Sequence, residues 1–419
     1  MSERHEPSRE IGMNDLDTEQ LLGEWFVDEA PAREPAVLAP NVIARTALTR
    51  RRSRYFVRDW WRDLFRTHQR SSLTPALGAS ALVLTMLVVG LAGLAISWAP
   101  SGEEEPEALY PADAIVVSPD QARSTISAAI AEAEAGDTVV IMPGEYRENL
   151  LIDSEITLMG AGDRGAIVLR PADPEQPILS IDDADAIVRG FTITGAGNSV
   201  TVVAGAPLIE DMVFDGVGDQ WWTYTGANWD GYDEASPSIL VELFAEPTIR
   251  NSLFDGGGEI EVRDSSTAQI LDNTLINGAA IFLNDASSET VVRGNSITDS
   301  GLFSIEITSA TDLLVEGNTI EQSQPGIGIQ AARVGGTIRD NVIRGTNVGI
   351  QLMDGASPEI SGNTIDADGA AFEVHGGISP TVTGNELCGD NAIMAVMRGA
   401  EPLDLSDNEL CDAPLVFGE

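Results

Sequence analysis

The sequence predicts an all-β fold, a parallel β-helix of about twelve coils, which follows one transmembrane helix. Asparagines recur every 22 or 23 residues, and apolar residues alternate with polar ones in the short stretches between them. A fixed period of this size is typical of stacked supersecondary units, and alternation is typical of strands. Each repeat therefore forms one coil of three short strands and three turns. The repeat asparagines are Asn251, Asn273, Asn295, Asn318, Asn341, Asn363, Asn385 and Asn408.

Each repeat asparagine stands at a turn, just before an inward strand residue. Asparagine tolerates the left-handed backbone conformation better than other non-glycine residues. Amides one coil apart, at about 4.8 Å, can hydrogen-bond to each other and to the backbone of the turn. We therefore predict a structural ladder of stacked Asn side chains along one turn of the β-helix.

The charge of the 419-residue chain is very unevenly distributed. The first 100 residues hold 12 Arg and 12 Asp or Glu, so the whole formal net charge of −42 falls on residues 101–419. A surface this acidic repels nucleic acid and anionic polymers, which excludes a nucleic-acid partner. It suits divalent cations and neutral or basic partners.

The segment before the transmembrane helix has two parts. Residues 1–44 contain the Pro- and Ala-rich stretch "PAREPAVLAP" and predict a flexible segment. Residues 45–71 predict a basic amphipathic helix, because arginines and aromatic residues fall on different faces. Such a helix lies along an anionic inner leaflet. The arginine stripe consists of Arg54, Arg58, Arg62, Arg66 and Arg70.

Residues 76–98 carry no charge and predict a transmembrane helix. At 1.5 Å per residue they extend roughly 34 Å, which is enough to cross a bilayer core. Arginines precede this segment and the acidic linker 99–112 follows it, so the N-terminus is expected in the cytoplasm. The lead of about 70 residues argues for an uncleaved signal-anchor rather than a signal peptide. The C-terminal domain is then extracellular or periplasmic.

Residues 113–419 form the predicted β-helix domain. Ile126, Ala129, Ile130 and Ala133 share one face of a short helix, and we expect this helix to cap the open end of the first coil. The string "GDTVVIMPGEY" followed by "ITLMGAG" resembles the opening of pectin-lyase-like, right-handed parallel β-helix proteins. The repeats resemble those of bacterial envelope proteins, including periplasmic nitrous-oxide-reductase maturation factors. The resemblance covers residues 111–419 and implies a fold that hosts polysaccharide lyases, hydrolases, epimerases and binding proteins.

One coil is longer than the others and carries all the tryptophans of the outer domain. From Asp211 to Asn251 there are 40 residues, and the excess reads "GDQWWTYTGANWDGYDEAS". Aromatic faces stack on sugar rings, and carboxylates bind hydroxyl groups or a cation. The loop predicts glycan binding, while packing onto the β-helix and contact with another protein remain alternatives. The candidate residues are Trp221, Trp222, Tyr224, Trp229, Asp230, Tyr232 and Asp233.

A second candidate site is the outward row of the strand that precedes each Asn turn. Counting along each repeat gives outward pairs from Glu261 with Arg263 to Val396 with Arg398, and Gly328 with Gln330 is the pair of the fourth coil in this series. An acid, a base and an Arg on one face suit proton abstraction beside a sugar carboxylate. The chain lacks the pectate-lyase calcium-binding Asp cluster and the paired Asp motifs of polygalacturonases, so an enzyme remains the alternative function. The catalytic candidates are Glu373, His375 and Arg398.

Two smaller groups of residues complete the predictions. Asp182, Asp183 and Asp185 are weak Ca²⁺ candidates in a polar turn, and otherwise no cofactor is expected. Cys388 and Cys411 end matching strings one coil apart, so their Cα atoms are expected about 4.8 Å apart. This distance permits a disulfide in an oxidising compartment, with two stacked free thiols as the alternative. The sequence thus predicts a membrane-anchored protein that binds a cell-wall or extracellular glycan, with an enzyme or an envelope scaffold as rivals.

Overall fold

The structure is a computed structural model that describes residues 110–120, 124–195, 199–216, 237–322, 326–389, 393–398, 402–411 and 414–418. For residues 393–398 only the backbone is described. The predicted segments 1–44, 45–71 and 76–98, and the linker up to residue 109, lie outside these ranges. Within the described ranges, no helix combines the length and the apolar character that crossing a membrane requires.

Thirty-six short strands form three parallel sheets of 12 strands each, which confirms the predicted β-helix of about twelve coils. From β2 to β34 each coil contributes one strand to each sheet, in the order A, B, C, while β1 precedes the first full coil and β35 and β36 follow the last one. Sheet A consists of β1 (Ile115–Val117), β2 (Thr138–Ile141), β5 (Thr157–Gly160), β8 (Ile187–Arg189), β11 (Leu208–Glu210), β14 (Thr248–Arg250), β17 (Gln269–Leu271), β20 (Val291–Arg293), β23 (Leu314–Glu316), β26 (Thr337–Arg339), β29 (Glu359–Ser361) and β32 (Thr381–Thr383).

Sheets B and C follow the same rule. Sheet B consists of β3 (Gly144–Arg147), β6 (Ile167–Arg170), β9 (Thr192–Thr194), β12 (Val213–Asp215), β15 (Leu253–Asp255), β18 (Thr274–Ile276), β21 (Ser296–Thr298), β24 (Thr319–Glu321), β27 (Val342–Arg344), β30 (Thr364–Asp366), β33 (Glu386–Cys388) and β35 (Glu409–Leu410). Sheet C consists of β4 (Leu150–Ile152), β7 (Leu179–Asp182), β10 (Val200–Val203), β13 (Ile239–Glu242), β16 (Glu259–Val262), β19 (Ala280–Asn284), β22 (Phe303–Thr308), β25 (Ile327–Ala332), β28 (Val348–Met353), β31 (Ala370–His375), β34 (Ile393–Arg398) and β36 (Leu415–Gly418).

The core is a continuous stack of inward-facing aliphatic and aromatic side chains. In sheet C, for example, Ile260 of one coil lies beside Ile281 of the next, and both are fully buried. Two stacked phenylalanines, Phe214 and Phe254, lie in consecutive coils with ring centroids 4.5 Å apart. Because strand residues alternate, each inward residue leaves its neighbours on the outer face of the same sheet.

A short helix, α1 (Ile126–Glu132), packs over the first coil beside β1, β2 and β4. Ile126, Ala129 and Ile130 are buried, as the sequence predicts. The Glu148 carboxylate accepts hydrogen bonds from the backbone N–H groups of Ile126 and Ser127, at 2.8 and 2.9 Å. These bonds satisfy N–H groups that have no partner within the helix. A single 3-10 turn, η1 (Arg164–Ala166), precedes β6.

The Asn ladder runs along the turn between sheets A and B. The Asn341 Oδ1 atom accepts from the backbone N–H and from the Nδ2 atom of Asn318, and its own Nδ2 atom donates to Asn363 Oδ1 and to Val315 O. All four bonds are 2.9–3.0 Å long, and Asn341 is fully buried. The amide therefore uses both donors and both acceptor lone pairs.

Two details of the predicted ladder are wrong. Asn251 is exposed and lies outside it, because the strand register places Ser252 beside Asn273, and Ser252 donates its N–H to Asn273 Oδ1. The left-handed residue is also not the ladder Asn but the residue before it, such as Asp272 (φ 54°), Asp340 (φ 56°) and Asn251 itself (φ 52°). In this coil the ladder position is occupied by Ser252, one residue after Asn251. The coil is one residue shorter than the spacing of the asparagines suggests, so the sequence pattern alone points to the wrong residue.

Cys388 and Cys411 lie in adjacent coils of sheet B, and the structure joins them in a disulfide with Cα atoms 5.0 Å apart. No free cysteine remains in the chain, since these two are its only cysteines. Cys411 follows directly after β35, so the bond ties the last described strand of sheet B to β33.

Candidate functional site

The outer face of sheet C carries a straight column of side chains that point away from the core. Strand pairing aligns one residue from each of eight consecutive coils, while the flanking residues of the same strands, such as Ile305 and Ile307, are buried inward. We call this set the outer column. It consists of Thr201, Leu240, Glu261, Phe282, Glu306, Gln330, Gln351 and Glu373.

Strand pairing corrects one pair of the outward row that was counted from the sequence. Gln330 lies beside Glu306 and Ala332 beside Thr308, so the pair in this coil is Gln330 with Ala332 and not Gly328 with Gln330. The turn between β24 and β25 is longer than the corresponding turns of the other coils. Outward positions that are counted from the repeat Asn therefore fall too early in β25. Register is decided by strand pairing rather than by distance along the chain.

Several polar members of the outer column are buried although they point outward. The exposed fraction is 7% for Glu306, 4% for Gln330 and 9% for Gln351. The Gln330 amide donates to Gln351 Oε1. Thr201, in the same column, has a buried Oγ1 atom without a hydrogen-bond partner. Burying polar atoms costs free energy unless they are hydrogen-bonded, so this column is distinct from an ordinary solvated strand face.

Three glutamates lie in the middle of this face. Glu259 and Glu261 lie on the same face of β16, and Glu306 lies two coils further along, with Cα atoms roughly 10 Å from those of Glu261 by strand spacing. Burial raises the pKa of Glu306 to about 7. Burial, together with the charges of Glu261 and Glu306, raises the pKa of Glu259 to about 7. These acids are poised to exchange protons near neutral pH.

One arginine, Arg263, lies beside these glutamates, and its guanidinium group is shared between Glu242 and Glu261. Arg263 makes an ion pair with Glu242 at 2.7 Å and lies 3.7 Å from Glu261. Burial raises the pKa of Glu261, and the Arg263 guanidinium opposes that shift. Arg263 does not neutralise Glu259 or Glu306 in any ion pair that the described residues form.

The predicted catalytic residues lie further along the same face, at the C-terminal end of the outer column. His375 Nε2 is 3.2 Å from Glu373 Oε1, so the structure brings these two together. Backbone pairing sets His375 beside Arg398 in the next coil. The Arg398 side chain is outside the described part of the chain, and so its contact with the other two stays a prediction.

The aromatic loop falls in a range that the structure does not describe, residues 217–236. This range includes Trp221, Trp222, Tyr224, Trp229, Asp230, Tyr232 and Asp233. Its described flanks are informative. The chain leaves sheet B after Asp215 and re-enters sheet C at Ile239, whose strand pairs with the strand that carries Glu259 and Glu261.

The weak metal candidates do not converge. Asp182, Asp183 and Asp185 are exposed, and Asp185 accepts a hydrogen bond from the Ala206 N–H. In the described part of the chain, the single group of three possible ligands consists of Glu386, Cys388 and Cys411. Both cysteines of that group are in the disulfide, so their sulfur atoms are not thiolate ligands.

Sequence reasoning placed Glu261 and Glu306 on the outward row but did not single them out. It missed Glu259 as a candidate. The alternation of each strand carries the signal that these residues point outward. Their grouping and burial depend on how strands of neighbouring coils pair. A local sequence pattern does not contain this information.

Residues 238–387 match the family described as a right-handed β-helix region. Together with the three parallel sheets, this match shows a right-handed parallel β-helix. A comparison with curated proteins found no match.

Several solved structures are similar to this chain at low identity. An alginate lyase from Paenibacillus sp. str. FPU-7 is 14% identical, with 70% of this chain and 94% of that chain covered and a TM-score of 0.36. The catalytic unit of a GH87 alpha-1,3-glucanase from Streptomyces thermodiastaticus strain HF3-3 is 14% identical, with coverages of 73% and 69% and a TM-score of 0.38. A pectin methylesterase from Aspergillus niger is 16% identical, with coverages of 65% and 86% and a TM-score of 0.30.

Proposed function

We propose that this protein binds a glycan on the outer face of sheet C. The observation that carries the proposal is the outer column, in which carboxyl and amide groups stand in line over consecutive coils and are largely buried although they point outward. Sugar hydroxyl groups donate and accept hydrogen bonds, and carboxylates and amides are their natural partners. From Glu306 to Glu373, a linear glycan along the column would meet one such group about every 4.8 Å.

The aromatic loop supplies the second part of the proposed site. Its flanks support this role, since the chain returns from residue 236 into the strand next to Glu259 and Glu261. Trp221, Trp222 and Trp229 would then stack on the sugar rings whose hydroxyl groups meet the column. If the loop instead packs on the β-helix, its tryptophans do not contribute to glycan binding.

Glycan binding is tested with the purified full-length chain on a glycan array, followed by calorimetry with the best oligosaccharide. Replacing Trp221, Trp222 and Trp229 with Ala is expected to weaken binding at least tenfold and to leave the melting temperature nearly unchanged. The matched control is Trp25→Ala, a tryptophan in the segment predicted to be cytosolic. A large drop in melting temperature, with no change in affinity, would assign the loop to packing.

Membrane anchoring is part of the same proposal. The uncharged segment 76–98, with arginines before it and the acidic linker after it, supports a single span with a cytoplasmic N-terminus. The β-helix would then face the cell wall or the extracellular medium, where glycans and other envelope proteins are available as partners.

A specific observation favours an enzyme as the second candidate. Glu259 and Glu306 share one face and have pKa values of about 7, which suits a general acid and a general base at neutral pH. The reaction classes that fit are polysaccharide lysis, hydrolysis and epimerisation. Incubation with a panel of polysaccharides, with assays for reducing ends, unsaturated products and altered sugar configuration, tests this. If the wild type forms product and Glu306→Gln does not, the protein is an enzyme. If a polysaccharide binds but no product forms, the result supports binding alone.

A further inference from the structure

Two glutamates of the outer face of sheet C, Glu259 and Glu306, have no cationic partner among the described residues. Arg263 Nη2 and Nε lie 2.7 and 3.2 Å from Glu242 Oε2, so this guanidinium is directed to Glu242. Among the described residues, neither Glu259 nor Glu306 takes part in an ion pair. The face therefore carries more negative charge than the protein neutralises.

Glu306 is the clearest case, because its side chain is largely buried and no cationic side chain pairs with it in the described part of the chain. Its exposed fraction is 7%, although its carboxylate oxygens are not among the polar atoms that are fully buried without a partner. Its neighbours in the outer column are Phe282 and Gln330, and the Gln330 amide is already bonded to Gln351. Partial removal of a carboxylate from water is costly, and burial accordingly raises the pKa of Glu306 to about 7. A cationic group at this place would remove the penalty.

The three glutamates also lie close enough to act together. The charge of Glu306 contributes to the raised pKa of Glu259, and so does the charge of Glu261. Glu261 and Glu306 are two coils apart along the β-helix axis, roughly 10 Å. A ligand that satisfies them needs positive charges repeated along a line rather than a single cation.

The proposed function, glycan binding, narrows the chemistry of that ligand. We propose that the bound glycan carries free amino groups: a polymer of unacetylated amino sugars whose ammonium groups meet Glu259, Glu261 and Glu306. Ammonium groups donate charge-assisted hydrogen bonds to carboxylates. The net charge of −42 attracts such a polymer and disfavours polymers of uronic acids. This inference rests on the proposed function and adds the substrate class to it.

The ligand class is tested with three probes on the purified full-length chain at one pH: a glucosamine hexamer, an N-acetylglucosamine hexamer and a galacturonate hexamer. The glucosamine hexamer is expected to bind at least roughly tenfold more tightly than the acetylated one, with the uronate weakest. Raising the salt concentration should narrow the difference, because charge attraction is screened. Equal or tighter binding of the acetylated or the acidic hexamer overturns the inference while glycan binding stands. Binding of no hexamer, and of nothing on a glycan array, overturns both.

Variants separate a site from general attraction to an acidic protein. Glu306→Gln keeps the shape of the side chain and is expected to weaken binding of the glucosamine hexamer about tenfold, with little effect on the acetylated hexamer. The control is Glu359→Gln, which removes the same charge from an exposed position on sheet A and should leave affinity unchanged. Thermal unfolding of each variant verifies the fold. Equal losses in the two variants would mean diffuse electrostatic attraction and would overturn the inference.

Discussion

At the scale of single residues, the ladder asparagines are the most tightly constrained polar groups of the β-helix. Asn273, Asn295 and Asn318 repeat the bonding of Asn341, each donating to the next Asn and to a backbone carbonyl of the preceding coil. All are buried, so each bond that is lost leaves a polar group without water. The ladder thus holds the turn between sheets A and B at a fixed register.

The ladder makes a prediction about two asparagines that look alike in the sequence. Asn341→Ala removes four hydrogen bonds and leaves orphaned groups on Asn318 and Asn363, so we expect a loss of roughly 3 kcal/mol in the free energy of unfolding. Asn251→Gly changes an exposed residue that already has a positive φ, so we expect a change within about 0.5 kcal/mol. Thermal or denaturant unfolding measures both. Similar losses would contradict the register that excludes Asn251.

The raised pKa of Glu306 predicts how stability depends on pH. Its pKa is about 7 in the folded protein and 4.5 in the reference state, so the folded protein binds the proton more tightly. Stability therefore falls as pH rises from about 4.5 to about 7, and the penalty is fully present above that range. Glu306→Gln removes the penalty, and we expect the variant to gain up to about 3 kcal/mol over the wild type at pH 8 but little at pH 4.

Melting temperatures of both proteins from pH 4 to 8 check this prediction. The exposed Glu359→Gln substitution controls for the loss of one negative charge from an acidic domain. Parallel pH profiles for wild type and Glu306→Gln would show that this carboxyl group is hydrated rather than buried.

At the scale of elements, the two ends of the β-helix are held by different devices. At the first coil, α1 lies over the strands and Glu148 satisfies its N-terminal N–H groups. At the last coils, the disulfide joins β33 to the residue after β35. Beyond these elements, each coil depends on its neighbours for the burial of its core, so an end coil has packing on one side only.

The disulfide predicts a loss of stability on reduction. A bond that closes a loop of 23 residues contributes roughly 3 kcal/mol by restricting the unfolded chain. The melting temperature should fall when reductant is added, and the Cys388→Ser/Cys411→Ser variant should melt at the reduced value with or without reductant. Two alkylatable thiols in the unreduced, denatured full-length protein would instead establish the free-thiol alternative.

At the scale of the whole molecule, charge is distributed unevenly on the two sides of segment 76–98. Basic residues precede the segment 76–98, and all of the net negative charge follows it. Arginines on one side of an uncharged span fix its orientation, because they remain on the cytoplasmic side. The acidic β-helix would then face outward, where it meets neutral or cationic polymers.

Proteolysis of intact cells tests this orientation. A protease added outside is expected to cut the linker 99–112, release the β-helix and leave the N-terminal segment protected by the membrane. Cells permeabilised with detergent serve as the control, in which both parts become accessible. Digestion of the N-terminal segment in intact cells would reverse the topology.

Local sequence patterns were sufficient to predict the architecture, because the residues of each single repeat determine its strand and turn preferences. The alternation around Ile260 and Ile281 predicts strands, the repeated Asn predicts a ladder, and the equal strings that end in Cys388 and Cys411 predict that the cysteines stack. Each of these inferences needs only residues within one coil and the length of the coil.

The arrangement of the candidate site depended on the tertiary structure. Turn lengths differ from coil to coil, so counting residues put Asn251 into the ladder and set Gly328 in place of Ala332, and only strand pairing revealed the true neighbours. The same pairing places Glu306 two coils from Glu261 and buries it beside Phe282. Burial and charge proximity arise between coils, from residues about 20 or 40 positions apart, and these determine the proton affinity of the glutamates.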